Sequence, residues 1–285
     1  SKTQADKNIN LRERRCEMSG TVKFSGIRLL DGIEAALVSV AEDRRVDGAL
    51  KGVHVDAERG YVVGADGVRL SATKIDQVEG AEAFTLAVCD ALEALIKGLT
   101  AMVSKASQAH AHDEVTAVIE PDAVAFSLRP SLPIEVRIPR INVEYPDYAA
   151  ILAWDYGPEE ARGYIESESA AKQLRKLLPL ARAVSKENVP IGIYVHNASV
   201  DLIARCNDEM LVYTQDRDGS DGNAMAFVNG NYLLDFLEFA KGHKGTVVVS
   251  LHDKPNPVVF SMSWPFPEVQ HLIMPLAIAN WEIRG

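Results

Sequence analysis

The sequence predicts an α+β fold in two domains, each with two helices packed against antiparallel sheets. Three observations carry that expectation. A unit consisting of a one-sided helix and then alternating strands recurs along the chain, with helices starting near Ile27, Cys89, Ala170 and Asn231. The strands alternate apolar with polar residues, as half-buried antiparallel strands do. Between the second and third units, Trp154-Asp-Tyr-Gly-Pro-Glu-Glu-Ala-Arg162 is polar, contains Gly157-Pro158 and lacks periodicity, which marks a connector over 154–162. The expected division is a tail, 1–20, a first domain, 21–153, and a second domain, 163–285.

Taken in order, the first twenty residues are polar and hold Arg12-Glu-Arg-Arg15, which reads as a solvated arm. The first helix shows Leu30, Ile33, Leu37 and Val40 on one side, and the second shows Leu92, Leu95, Leu99 and Met102. After it, Val115-x-Ala-x-Ile119, a turn at Pro121-Asp122, Val124-x-Phe-x-Leu128 and Ile134-x-Val-x-Ile138 read as antiparallel strands with one buried face. The third unit repeats the pattern with Ile193-x-Val195, a turn at Asn197-Ala-Ser and Val200-x-Leu-x-Ala204. In the fourth helix Leu233, Leu234, Leu237 and Ala240 recur at helical spacing, Asn229 or Asn231 can cap its start, and Gly242 and Gly245 stop it. Val247, Val249 and Leu251 then alternate with Thr246, Val248 and Ser250, and Asp253-Lys-Pro-Asn256 turns the chain into Val259-Phe-Ser-Met262.

Composition narrows the function. The chain has 285 residues, 47% hydrophobic and 25% charged, enough for a large core. No apolar run approaches the roughly 18 residues of a membrane helix and no charged-then-apolar leader precedes the first element, so a cytoplasmic protein without a membrane partner is expected. Cys16, Cys89 and Cys206 are far apart and outside any CxxC spacing, implying neither a disulfide framework nor structural zinc. The net charge of −10 speaks against a general nucleic-acid binder. A protein that surrounds DNA without gripping it needs positive charge only on the facing surface.

One helix offers such a surface. At about 100° per residue, Lys172, Arg175, Lys176, Arg182 and Lys186 cluster on one side of the third helix, while Leu174, Leu177, Ala181 and Val184 take the other. Pro179 predicts a kink or break near its middle. Arg28 on the first helix, Lys97 and Lys105 on the second, and Lys241 with Lys244 at the end of the fourth add smaller contributions, diluted by Glu34 and Glu93. These groups suit loose, sequence-independent phosphate contact, since no Asn, Gln or Arg finger is placed to read bases.

Several apparent sites fail. Asp216-Arg-Asp-Gly-Ser-Asp-Gly222 has Asp221 where a calcium loop needs glycine and Phe227 where it needs glutamate. His110-Ala-His112 with Asp113 lacks a further ligand at a set spacing. The chain contains no P-loop, dinucleotide fingerprint, HExxH or nucleophile elbow, so neither an enzyme nor a cofactor is expected.

Two stretches carry a family resemblance. Asn-x-x-Tyr-Leu-Leu-Asp at 229–235, the lysine-bearing helix end, Ser-Leu-x-Asp at 250–253 with Pro255 and Pro257 behind it, and Met274-Pro275 together resemble the last domain of the bacterial DNA polymerase sliding clamp, the beta subunit. Ala49-Leu-Lys-Gly-Val-His-Val-Asp-Ala57, Gly64-Ala-Asp-Gly-Val-Arg-Leu70 and Tyr145-Pro-Asp-Tyr-Ala-Ala-Ile-Leu152 resemble its middle domain. The resemblance spans about 21 to 278 and leaves the family's first domain without a counterpart. It implies a DNA-clamp fold and a processivity factor that encircles duplex DNA and tethers DNA polymerase, with the clamp loader as a further partner.

It also implies a groove for a short partner peptide, carried over by motif to Leu50, Ala65, Gly67, Val68, Arg69, Leu70, Pro146, Ile151, Leu272, Met274, Pro275 and Leu276. Two departures stand out. Ala277 occupies a position where the family usually has arginine, and Asn280–Gly285 extends past its usual end, with Trp281 and Ile283 expected to pack on the outer sheet and not in the groove. The family closes its ring with six similar domains, so two per chain imply a head-to-tail homotrimer. A bacterial virus or mobile element is an origin that fits a shortened clamp. The alternative is a clamp-derived regulator or decoy that binds another clamp or a polymerase without encircling DNA.

Overall fold

Alternating burial builds the sheets, and strand β6 below shows the rule: Val115, Ala117 and Ile119 are buried while Thr116 and Val118 are half-buried. The computed structural model describes residues 20–42, 46, 48–105, 114–128, 134–207, 209–217, 219–253, 255–262 and 268–277, the side chain of Lys105 excepted. The first part of the chain runs β1 (Gly20–Ser25), α1 (Gly26–Leu37), a 3-10 turn (Gly48–Lys51), β2 (Gly52–Asp56), β3 (Tyr61–Ala65) and β4 (Arg69–Lys74). It continues through β5 (Phe84–Ala87), α2 (Asp90–Lys105), β6 (Glu114–Ile119), β7 (Ala123–Ser127), β8 (Glu135–Pro139) and the short α3 (Tyr148–Leu152). Then come β9 (Glu159–Glu166), α4 (Ser167–Val184), β10 (Pro190–His196), β11 (Ser199–Cys206), β12 (Glu209–Asp216) and β13 (Asp221–Gly222). The last elements are β14 (Ala224–Asn229), α5 (Gly230–Gly242), β15 (Thr246–His252), β16 (Val258–Met262) and β17 (Val269–Ile273).

The chain forms two units, the first ending at Gly64 and resuming over Thr73–Pro146, the second made of Ala65–Ala72 and the chain from Asp147 onward. In the first unit β1, β6, β7 and β8 form an antiparallel sheet with Val22 opposite Ala117 and Val124 opposite Ile138. β2 lies between β3 and β5. Helices α1 and α2 pack together and send Leu29, Ile33, Leu92, Leu95, Leu99 and Met102 into one core with Phe84 and Phe126. α1 lies directly on β3 because small residues meet there: a Cβ on Gly64 would sit 2.0 Å from the Ala36 carbonyl oxygen.

In the second unit β12, β11, β10 and β14 form one sheet, and β13, β9, β15, β16 and β17 run in that order in another, with β4 beside β17. Helices α4 and α5 pack against each other and bury Leu174, Leu177, Leu178 and Ala181 with Leu233, Phe236, Leu237 and Ala240. Asn229 caps α5, its side chain accepting from the Asn231 amide at 3.0 Å. The two sheets approach closely, since a Cβ on Gly163 of β9 would meet Val200 of β11 at 2.4 Å.

Four expectations need correction or lie elsewhere. Helix α4 runs through Pro179 without a break; the Arg175 carbonyl that loses its donor is on the exposed side of the helix, where water can serve it. Val184 is 52% exposed, because the helix ends there and Leu178 completes the buried stripe instead. The expected connector, 154–162, differs from the structure in its second half, since Glu159–Arg162 begin β9 by pairing with β15 and β13. Residues 1–19 of the expected tail, His110, His112, Asp113, Trp281 and Ile283 lie outside the described residues, and Gly20 already belongs to β1.

Candidate functional site

The groove expected from the sequence starts with a turn. Asp66 accepts the amides of Val68 and Arg69 at 3.0 and 2.9 Å, and its own amide donates to the Arg69 carbonyl at 3.2 Å. Gly67 takes a φ of 95°, which an L side chain would strain. The turn pushes Val68 outward, 44% exposed, and delivers Arg69 and Leu70 into β4. The Met274 amide then donates to the Val68 carbonyl at 2.9 Å, which fixes the segment after β17 along this turn.

A second wall comes from α3. Asp147 caps the helix through the Ala150 amide at 3.3 Å, and the Tyr156 hydroxyl donates to the Ile151 carbonyl at 2.6 Å. The Asn256 side chain donates to the Tyr156 carbonyl at 2.9 Å, so the loop that carries Pro257 is tied to the same turn. The result is an apolar groove of about 100 Å³, open to solvent and lined by Ala65, Gly67, Val68, Arg69, Leu70, Ile151, Pro257, Leu272 and Met274. Ile151 and Met274 stand at its rim, 44% and 45% exposed.

Of the residues named from sequence, Ala65, Gly67, Val68, Arg69, Leu70, Ile151, Leu272 and Met274 meet in this groove, while Leu50, Pro146, Pro275 and Leu276 are not among its lining. Leu50 is half-buried in the 3-10 turn of the first unit, where its carbonyl accepts the Ala41 amide at 2.9 Å. The Leu276 amide donates to the Phe227 carbonyl at 2.7 Å, which draws that strand end toward β14. Pro257, which the sequence reading did not place in the groove, closes it; its position right after the Asp253–Asn256 turn was the available signal.

The polar side of the groove belongs to Arg69. Its side chain is 8% exposed and lies between two carboxylates, with Nε on Asp66 Oδ2 and an NH1 donor on Asp235 Oδ2, both at 2.8 Å. The guanidinium also covers the Tyr232 ring, 4.2 Å from its centre. Burial and the nearby Asp66 carboxylate push the Tyr232 phenol up from its ordinary value. Tyr232 and Asp235 are three residues apart on α5, which places both on one helix face. Behind them His271 is fully buried with Nδ1 2.7 Å from Ser71 Oγ, and burial, with a smaller contribution from Arg69, pushes its imidazole down to about 3.

The cationic face of α4 is present but partly occupied. Lys172, Arg175, Lys176 and Arg182 are exposed on the helix, and Lys186 is exposed beyond its end. Arg175 pairs with Glu238 of α5 at 2.8 Å, and Arg182 donates to the Asn231 side chain at 3.0 Å. Lys172, Lys176 and Lys186 make no ion pair among the described residues. The smaller contributors are also engaged: Arg28 with Asp76 at 2.7 Å, Lys97 with Glu93 at 3.6 Å and Lys241 with Glu238 at 4.0 Å. The side chain of Lys105 lies outside the described residues.

No protein-family model matches the sequence, and no curated protein matches it. Solved structures do match. The DNA polymerase sliding clamp of Pseudomonas aeruginosa is 17% identical, with a TM-score of 0.70 over 90% of this chain and 67% of that one. The same organism's clamp bound to griselimycin gives 15% identity and a TM-score of 0.72 over 91% of this chain and 66% of that one. The Bacillus subtilis sliding clamp gives 17% and 0.69 over 92% and 65%. The chain thus has the bacterial sliding-clamp fold, mixed α+β with antiparallel sheets, and spans about two thirds of the length of these structures.

Proposed function

We propose that this chain is a sliding clamp that encircles duplex DNA and tethers a polymerase through a short peptide seated in the groove of the second unit. The observation that carries the reading is that groove: residues from four separated stretches, Ala65–Leu70, Ile151, Pro257 and Leu272–Met274, converge on one apolar surface of a clamp fold. Its chemistry suits an extended peptide, with exposed Val68, Ile151 and Met274 to receive apolar side chains and rigid strands to hold them. Processivity would then arise from tethering, which raises the local concentration of the polymerase at the primer end without chemistry by the clamp. The fold fits a non-enzyme. A clamp loader is a second expected user of the same groove, and this reading carries with it a cytoplasmic site of action in a bacterial cell, whether the protein is encoded by the cell or by a virus or mobile element.

The test is a titration of a labelled clamp-binding peptide from a polymerase against wild type and Met274→Ala, followed by fluorescence anisotropy. Saturable binding that weakens about tenfold in the variant supports the assignment, given the one to two kcal/mol that an interface anchor contributes. Undiminished binding to Met274→Ala removes the peptide from this groove.

Ring closure is part of the proposal. β12 is an edge strand among the described strands, and it exposes Met210, Leu211 and Val212 at 53%, 48% and 44%. Apolar edges of this kind are covered by another strand in a soluble assembly, and a second copy joined head to tail supplies one. Light scattering on the purified chain separates the outcomes: a mass of three subunits fits the ring of six domains, whereas a monomer that binds another clamp favours the decoy.

A further inference from the structure

The groove has a polar wall of a particular sign. One guanidinium, Arg69, is shared by two carboxylates at 2.8 Å each, so the cluster carries one more negative charge than positive. Burial then decides which charge a visitor meets. The Arg69 and Asp66 side chains are 8% and 11% exposed, while that of Asp235 is 52% exposed. The arginine is held in place by the Tyr232 ring and both its acids, and is not available to swing toward a ligand. Among the described residues Arg69 is the sole charged one lining the groove, and the exposed Ala277 beyond Met274 adds no cation. Asp147 caps the helix that presents Ile151. Asp66 and Asp235 thus stand beside the groove through their bonds to its lining residue Arg69, and Asp235 is the more exposed of the two.

We propose that this groove selects peptide segments in which lysine or arginine stands beside the apolar anchors and pairs with the Asp235 carboxylate, and that it discriminates against acidic flanks. The inference rests on the peptide-groove reading above and specifies its ligand. Complementarity of charge sets partner choice more than it sets total affinity, because a like charge facing Asp235 is repelled and a cation is attracted. The exposed half of Asp235 keeps the pairing in contact with solvent and hence sensitive to salt.

The experiment uses the full chain and two labelled synthetic peptides with the same leucine and phenylalanine anchors, one flanked by lysine and the other by aspartate, each titrated against wild type and Asp235→Asn at low and high salt. The lysine peptide is expected to bind wild type about 5- to 20-fold more tightly at low salt, as one partly exposed charge pair allows. Asp235→Asn keeps an acceptor for Arg69, so the fold is retained, and the preference should fall to about twofold or less. High salt should narrow it similarly in wild type. Equal or tighter binding of the aspartate peptide, or a preference untouched by Asp235→Asn, overturns this inference while leaving the groove in place. Failure of both peptides to bind overturns the groove reading itself.

Discussion

The imidazole of His271 lies flat on the phenyl ring of Phe236, with centroids 4.4 Å apart and planes 2° from parallel. This contact ties β17 to α5 inside the second unit, and it requires a neutral ring, because a charged imidazole would be sealed from water. His54 repeats the arrangement in the first unit, stacked on Tyr145 at 4.4 Å with Nδ1 3.0 Å from Thr85 Oγ1, and burial pushes it down to about 4.

These two histidines predict acid lability. Above pH about 6.5 each is neutral whether folded or unfolded and contributes no pH dependence. As pH falls below that value the unfolded chain takes up protons that the folded chain refuses, so stability declines until pH reaches the folded values of about 4 and about 3. Each histidine contributes a slope of up to about 1.4 kcal/mol per pH unit in that window. Asp31, whose carboxyl burial pushes up to about 7, contributes a slope of opposite sign over the same range, so the histidine contribution is read as a difference: denaturant unfolding of His271→Gln between pH about 5 and about 6.5 should differ from wild type in slope by about one proton. An unchanged slope in the variant would remove His271 as a cause.

Arg69 predicts a structural cost separate from any role in binding. Arg69→Ala removes two charge-assisted bonds and the cover over Tyr232, and it leaves the nearly buried Asp66 without its cation. A loss of about 3 kcal/mol in unfolding free energy is expected. Arg69→Lys should recover part of it at most, since one ammonium cannot reproduce the fork that spans Asp66 and Asp235. If Arg69→Ala unfolds at the same denaturant concentration as wild type, the cluster is not a stabilising element.

The difference between what the sequence disclosed and what it hid follows the range of the interactions. Helix starts were legible because capping and periodicity are local: the expected starts near Ile27, Cys89, Ala170 and Asn231 correspond to helices beginning at Gly26, Asp90, Ser167 and Gly230. The placement of Arg69–Ala72 with the second unit was not legible, because β4 lies beside β17, two hundred residues away at the Ser71–His271 bond. In the groove, motif likeness brought out the apolar positions. The acids stayed hidden although Tyr232 and Asp235 both fall in the quoted Asn-x-x-Tyr-Leu-Leu-Asp stretch, since their partner Arg69 is 166 residues from Asp235. Helix α4 continues through Pro179, and sequence alone does not say that the turn bearing the orphaned Arg175 carbonyl faces water.

Occupancy of the α4 face by Glu238 and Asn231 decides which of its cations are free to meet DNA. Reversing Arg175 would also set a glutamate against Glu238, mixing a packing effect with any change in DNA contact. Lys172 and Lys176 are exposed and make no ion pair among the described residues, so Lys172→Glu with Lys176→Glu changes charge while leaving the buried stripe of Leu174, Leu177 and Leu178 intact. Stability should stay within about 0.5 kcal/mol of wild type, as for most surface changes. Each lost phosphate contact removes close to one counterion from the release term, so the slope of log K against log salt should shrink by about two. Duplex length and sequence should leave the effect unaltered, because phosphates carry no base information. A double variant that associates with duplex DNA as wild type does, with the same salt slope, would place the DNA-facing surface somewhere other than this helix.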